Sequence, residues 1–314
     1  MRIAVTGSAG RLGRVLVPHL LDAGIAEEIV GLDLRPAEET DPRYRHRRVD
    51  VRDPAASELL EGVDALVHLA FVLMGGGLGR RRHQRTTLHS INVEGSRHVF
   101  EAAVAAGVGH AVFVSSAAVY GAWPDNPPQL DEAAPLRAMP GFAYAEDKIE
   151  VERWLEGFAA SHPAMGVARL RPHAIVGAHA HPLLNRVLRQ PIYPRVTPPP
   201  PTQCIWENDV ARAIGLALTQ RARGAFNLAA DPPMSLYEML GLVRRRRIAV
   251  PPAILAGLHR IAWQITPAAG EPGWVGGLRH PLVLDTRKAA AELDFVPELD
   301  TAACVRRAAR GWHD

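Results

Sequence analysis

The sequence predicts an α/β chain built around a doubly wound parallel sheet, with a smaller C-terminal lobe. Three observations carry this prediction. Short β-branched runs alternate with helical patterns through the first two-thirds of the 314 residues. Those runs are continuously apolar rather than alternating, as in strands covered on both faces. A glycine-rich turn, TGSAGRLG, follows the first run and opens the first helix, as nucleotide-binding α/β units do.

In chain order, strands are expected at 2–7 (RIAVTG), 28–33 (EIVGLD), 46–50 (HRRVD), 64–70 (DALVHLA), 110–116 (HAVFVSS) and 166–171 (GVARLR), with helices near 11–23, 92–106 and 144–160. Pro18 falls inside the first helix and should kink it. Beyond residue 172, Pro191, Pro194 and Pro198 to Pro201 break up the segment 176–203. The stretch CIWENDVARAIGLAL reads as a strand–helix unit returning to the sheet. Ser235 and Glu238 have the spacing of a capping box, so another helix should start there. The expected division is a dinucleotide-binding domain at 1–175, rejoined by 204–230, and a substrate lobe from 176–203 and 231–314. No internal repeat is present.

Composition excludes several classes. The formal net charge is only +3. The clusters Arg80 to Arg82 and Arg244 to Arg247 carry no interleaved aromatics, so they read as solvated faces rather than a nucleic-acid surface. Cys204 and Cys304 lie far apart without metal-ligand spacing, which suits reduced thiols in a cytoplasmic protein. No apolar run reaches the roughly 18 residues of a membrane span, and no membrane partner is expected. Strand and glycine loop begin at once, which argues against a signal peptide. His173, His179 and His181 share no carboxylate or Cys spacing, and no metal is expected.

Within TGSAGRLG, Gly7 permits the tight turn, Gly10 a close approach of pyrophosphate, and Gly13 close packing of helix on strand. The helix start around Arg11 and Leu12 offers free N–H groups and a positive dipole end to phosphate. Asp33 ends the second strand, where a carboxylate accepts the adenosine ribose hydroxyls and repels a 2′-phosphate; NAD is favoured over NADP. Arg35, two residues on, weakens that preference.

Ligands of doubly wound sheets lie at the carboxyl ends of strands, which places Ser115 and Ser116 of SSAAVYG beside a nicotinamide. A helix beginning near Phe142 carries Tyr144 and Lys148 at i and i+4, on one face. Of 36 Lys and Arg, only Lys148 and Lys288 are lysines. A compact ammonium beside a phenol lowers the phenol's pKa, a task that the planar fork of Arg suits less well. Tyr120 lacks a following Lys and reads as packing. Asp209 reads as a helix N-cap.

Here the chain resembles the extended branch of the short-chain dehydrogenase/reductase family, which includes the NAD-dependent sugar epimerases. The resemblance spans nearly the whole chain through TGSAGRLG, DVRD (50–53), HLA (68–70), NVEGS (92–96), SSAAVYG, YAEDK, RP (171–172), ENDVARAI, FNLAA and LDTRKAAAELDFVP. It implies Tyr144 as general acid/base, Lys148 as ribose anchor and pKa modulator, and Ser116 as hydrogen-bond partner of the reacting oxygen. It further implies Ser115 on the nicotinamide side and Asp50 with the Val51 backbone at adenine. Leu69 and Ala70 would pack along the cofactor, Asn92 would stand beside the catalytic helix, and Pro172 and His173 would approach the nicotinamide. The helices near 92–106 and 144–160 would pair across a two-fold axis, giving a homodimer.

The family's dehydratases commonly carry Asp-Glu after the residue matching Ser116; here Ala117 and Ala118 stand there, which disfavours dehydration. Two departures concern a nucleotide-sugar substrate. Thr202 and Gln203 occupy the segment where an Arg usually clamps the diphosphate, and HLAFVLMGGG lacks a Lys often found after the fourth strand. Arg186, Arg189 and Arg195 are candidate replacements. Phe71, Met74, Trp123, Phe142, Tyr193 and Trp206 are candidates to line a rather apolar pocket. The expected function is an NAD-dependent epimerase or dehydrogenase acting on a hydroxyl-bearing, sugar-like small molecule. A dehydrogenase of an apolar, sterol-like alcohol and a non-catalytic NAD-binding sensor remain as alternatives.

Overall fold

Seven parallel strands pair into one sheet whose order reverses in the middle. They are β1 (Arg2–Thr6), β2 (Glu28–Asp33), β3 (Tyr44–Arg48), β4 (Ala65–His68), β5 (His110–Val114), β6 (Gly166–Pro172) and β7 (Gly224–Leu228). Their spatial order is β7-β6-β5-β4-β1-β2-β3, so the topological switch lies between β1 and β4. The computed structural model describes residues 1–73, 84–244, 246–265 and 270–310.

Successive side chains of each strand face opposite sides, which is why the runs had to be apolar throughout. Ile3 and Val5 join Leu16, Leu20 and Ile214 in one core layer. Ala4 points the other way, into a layer with Phe100, Leu155 and Phe158. The helices Gly13–Asp22 and Glu207–Thr219 cover the first side; Gly95–Ala105 and Ala143–Ser161 cover the second. Only the edge strand β3 is polar, and its Tyr44 ring lies on Gly31, where any Cβ would collide with the phenol.

Several expectations need correction. The returning strand of the sheet is β7, not the stretch after Cys204; Ile205–Trp206 instead pairs with Ile175–Val176 in a separate two-stranded piece. As expected from the sequence, Pro18 lies inside the first helix, where it leaves the Arg14 carbonyl without its i+4 donor. The helix expected near 92 is the end of a longer helical run: Arg85–His89 is α-helical, Ser90–Glu94 is a π-helical turn, and the α-helix resumes at Gly95. Asp209 is no N-cap: it sits in the first turn of Glu207–Thr219 and accepts from the Glu298 N–H and the Arg212 guanidinium. Ser235 and Glu238 do form both halves of a capping box.

The C-terminal residues gather around a separate apolar cluster that includes Val176, Leu188, Trp206, Met239 and Val305. Cys204 and Cys304 are buried in it as free thiols. Among the described residues, no helix is long and apolar enough to cross a membrane.

Candidate active site

The switch point sets a glycine turn against the end of β4. Gly7 takes φ +72°, a conformation natural to glycine, and a Cβ there would lie 2.8 Å from the Ala70 nitrogen. Its N–H donates to Leu32 O at 2.7 Å, and Gly10 donates to Gly7 O at 2.9 Å. The N–H groups of Arg11, Leu12 and Gly13 meet no acceptor among the described residues. They are the donors that a helix N-terminus offers to phosphate. Leu69 and Ala70 are tied to β1 through Thr6, by its carbonyl at 3.0 Å and its hydroxyl at 3.3 Å.

Asp33 is buried at the end of β2. One of its oxygens accepts the Ala9 N–H at 3.1 Å, and both accept from Arg35, whose guanidinium lies over Gly10. Asp50 makes the same kind of pair with Arg52, at 2.7 Å and 3.0 Å, and that pairing holds its carboxyl below the usual range. Val51 is buried against Gly95, and its carbonyl bonds the His98 ring at 2.7 Å. The Arg11 guanidinium reaches Ala180 O at 3.2 Å, which joins the glycine turn to the segment after β6. This donor set fits a dinucleotide: open N–H groups for pyrophosphate and a carboxylate for ribose, side by side at the switch point.

Past the end of β5, Ser116 accepts the Ala118 N–H at 3.2 Å and caps a short 3₁₀ turn, Ala117–Val119. Tyr144 stands in the first turn of the helix Ala143–Ser161. Its ring packs edge-on to Phe71, with centroids 5.5 Å apart, and lies 5.7 Å from Phe142. Burial pushes the phenol up to about 12; a hydrogen bond with Ser116 opposes this, and the Glu271 charge adds to it. One turn on, Lys148 is 2% exposed and donates to Val114 O at 2.6 Å. Its ammonium lies 3.7 Å from the Phe71 centroid and 4.4 Å from that of Phe113. Burial brings it down to about 7, against the pull of Glu152 and Asp147. Ser116, Tyr144 and Lys148 are thus gathered past the end of β5.

Behind them runs a buried polar network that the sequence did not reveal. Glu152, a further turn along the Tyr144 helix, accepts the Ser115 hydroxyl at 2.5 Å and both Nε and an NH₂ group of Arg171. Arg171 also donates to the Tyr120 phenol at 2.7 Å, and Tyr120 donates to Asn227 Oδ1 at 2.7 Å. Ser115 therefore turns its hydroxyl inward to Glu152 rather than toward a nicotinamide. Tyr120 does pack, but as a link in this chain of charge. Asn92 binds the Val72 backbone through both amide atoms, at 2.7 Å and 3.0 Å, and reaches Asp147 at 2.9 Å. The π-helical turn carries Asn92 toward that helix, a use to which such turns are often put.

A second feature hidden from the sequence is Glu271. It is 3% exposed and accepts the Ala143 N–H at 2.8 Å, so a residue far along the chain caps the Tyr144 helix. Its other oxygen has no partner among the described residues. Burial raises its carboxyl to about 7, against the Ala143 and Tyr144 N–H groups and with help from Asp147 and Glu146.

The outer candidates separate. Pro172 ends β6, and His173 follows, buried; its ring accepts the Ala174 N–H at 2.7 Å and bonds Leu282 O at 3.2 Å, with burial lowering it to about 4. Trp206 packs in the C-terminal apolar cluster under the Arg307 guanidinium, so it is core rather than pocket lining. Tyr193 lies 5.2 Å from Tyr237 and lines a small cavity with Pro200 and His280, which Ser116, Tyr144 and Lys148 do not line. Trp123 donates to Arg137 O at 2.9 Å within the loop after β5. Met74 and the cluster Arg80 to Arg82 fall outside the described residues. Among those residues, no group of three or more His, Cys, Asp or Glu is placed to hold a metal.

Comparison with known proteins bears on the family and the fold. The model of the NAD dependent epimerase/dehydratase family matches residues 3–196. An uncharacterized protein of Mycobacterium tuberculosis is 25% identical over 309 residues, covering 95% of this chain and 81% of the relative. The UDP-glucose 4-epimerase of Mus musculus is 28% identical over 198 residues, 57% of this chain and 55% of that protein. Two solved structures share the fold: MoeE5 in complex with UDP-glucuronic acid and NAD (TM-score 0.77, 22% identity, 100% and 99% coverage), and the UDP-glucose 4-epimerase of Thermus thermophilus with NAD (TM-score 0.74, 23% identity, 100% and 99% coverage).

Proposed function

The chain belongs to the NAD dependent epimerase/dehydratase family, and within it we propose an oxidoreductase that transfers hydride at a hydroxyl-bearing carbon, as a sugar or nucleotide-sugar epimerase or dehydrogenase. The observation that carries this reading is the meeting of Ser116, Tyr144 and buried Lys148 beside the glycine turn. Bound NAD supplies the hydride acceptor. Ser116 holds the substrate oxygen by a hydrogen bond, and Tyr144 takes the hydroxyl proton as hydride departs. Burial alone keeps the phenol protonated, so Tyr144 would act as base once deprotonated, its phenolate favoured by the positive nicotinamide ring of bound cofactor and by the Lys148 ammonium, 5.8 Å from the Tyr144 ring centroid. Phe71 excludes water from the pair. Ala117 and Ala118 place no carboxylate after Ser116, which argues against dehydration. The epimerases and the MoeE5 complexes among the similar proteins support a nucleotide-sugar substrate.

An apolar alcohol is the second reading, favoured by the aromatic wall of Phe71 and Phe142 on Tyr144, with Trp274 against Phe142. Incubation with NAD and candidate substrates, followed at the NADH absorbance band, separates the two classes of reaction. An epimerase turns over sugar without net NADH, while a dehydrogenase accumulates it. Tyr144→Phe should lower turnover by about 10²–10⁴-fold with NAD binding retained; full activity in that variant sinks the mechanism. We further propose a homodimer through the helices Gly95–Ala105 and Ala143–Ser161, which static light scattering at micromolar protein checks against a single-chain mass.

A further inference from the structure

The helix Pro252–Ile265 has two apolar sides, and its own lobe uses one. Trp263 is buried, and His259 bonds Gly270 O at 3.0 Å, which fixes the inward side. On the outer side Ile254, Leu258, Ile261 and Ile265 are 54%, 60%, 60% and 78% exposed. Their spacing of four, three and four residues stacks them into one stripe along the helix. Scattered exposed apolar residues need no explanation, but a continuous stripe of large aliphatic side chains does.

Charge indicates what covers it. From Met239 to Gly270 the sequence contains no Asp or Glu, while it carries Arg244 to Arg247 and Arg260. Arg246 and Arg260 are exposed, and Ile248 between them is 51% exposed. A second copy docked by two-fold symmetry would bring this acid-free basic segment against itself, like charge on like. An anionic lipid surface matches both features: the acyl boundary takes the aliphatic stripe, and long Arg side chains reach the headgroups.

We infer that the helix Pro252–Ile265 lies in the plane of an anionic membrane surface and docks the C-terminal lobe there. This departs from the expectation of no membrane partner, which rested on the lack of a spanning segment; an in-plane helix needs no span. It is independent of the reaction proposed above. The placement would bring the lobe expected to choose the substrate to the water–lipid boundary.

The test is co-sedimentation of the full chain with vesicles of phosphatidylcholine alone and of phosphatidylcholine with phosphatidylglycerol. The chain should sediment with the anionic vesicles, less so at high salt. Binding should fall about tenfold or more in Leu258→Glu/Ile261→Glu and in Arg246→Glu/Arg260→Glu. Unchanged NAD binding and circular dichroism show that these variants fold, and the single change Leu258→Gln, with a smaller loss, stands in if the double variant does not. Failure to sediment with anionic vesicles overturns the inference, as does binding that the folded variants leave unaltered. A dimer that Leu258→Glu/Ile261→Glu dissociates, without vesicle binding, also overturns it and assigns the stripe to a second copy.

Discussion

Replacing Glu271 by Gln is expected to stabilise the protein at alkaline pH, the opposite of what removal of a helix cap usually does. Glu271 is a buried acid whose carboxyl is raised to about 7, against 4.5 for the free side chain. An acid raised in the folded state contributes fully below its unfolded value, and that contribution is lost as pH climbs through the folded value. Complete ionisation then costs up to about 3 kcal/mol. Gln keeps an acceptor for the Ala143 N–H and carries no charge, so its stability should not decline through that window. At about pH 5 the two proteins should agree within about 1 kcal/mol, the worth of one rearranged hydrogen bond. At about pH 9 the variant should be more stable by about 2–3 kcal/mol in urea unfolding, the ionisation cost less that bond. The same charge raises the Tyr144 phenol, so in Glu271→Gln the ascending limb of the kcat–pH profile should move to lower pH. Equal urea midpoints at about pH 9, or parallel stability–pH curves, would refute the reasoning.

Two other perturbations have defined outcomes. Lys148→Arg should lower kcat about a hundredfold or more in steady-state assays, because the larger planar fork cannot occupy the slot beneath Phe71 and Phe113. Arg171→Met should cost about 3–5 kcal/mol in urea unfolding by stranding the Glu152 carboxylate, and Arg171→Met/Glu152→Leu should recover most of that loss.

What the sequence made legible was local. The glycine turn, Asp33 and the Tyr144–Lys148 pair are spacings within one strand–helix–strand unit or one helical turn, where geometry follows from residue number. What it concealed was the long-range partnership. Glu271 meets Ala143 across 128 residues, and Asn227 meets Tyr120 across 107. Nothing in either neighbourhood announces the other. Trp206 shows the complementary failure: an aromatic beside a predicted site is as readily core as lining, and only packing decides. The π-helical turn at Asn92 escaped because periodicity cannot separate one extra backbone residue from an ordinary helical turn. β7 was not among the expected strands, because its five residues, GAFNL, include a Gly and an Asn and gain their place only by pairing with β6.

The salt link between Asp33 and Arg35 changes how the cofactor preference should be weighed. A ribose diol that comes to Asp33 does not meet a free carboxylate; it displaces hydrogen bonds already made at 2.9 Å and 3.1 Å. Its gain is the difference between two sets of bonds, and the guanidinium it releases is an exposed cation beside the sugar's 2′ position. Within three residues the chain thus holds a lock suited to NAD and, folded across it, a key suited to the phosphorylated form. Were the ribose held at Asp33, selectivity would be a competition between neighbours, and the substitution that tips it would fall on the arginine rather than on the aspartate.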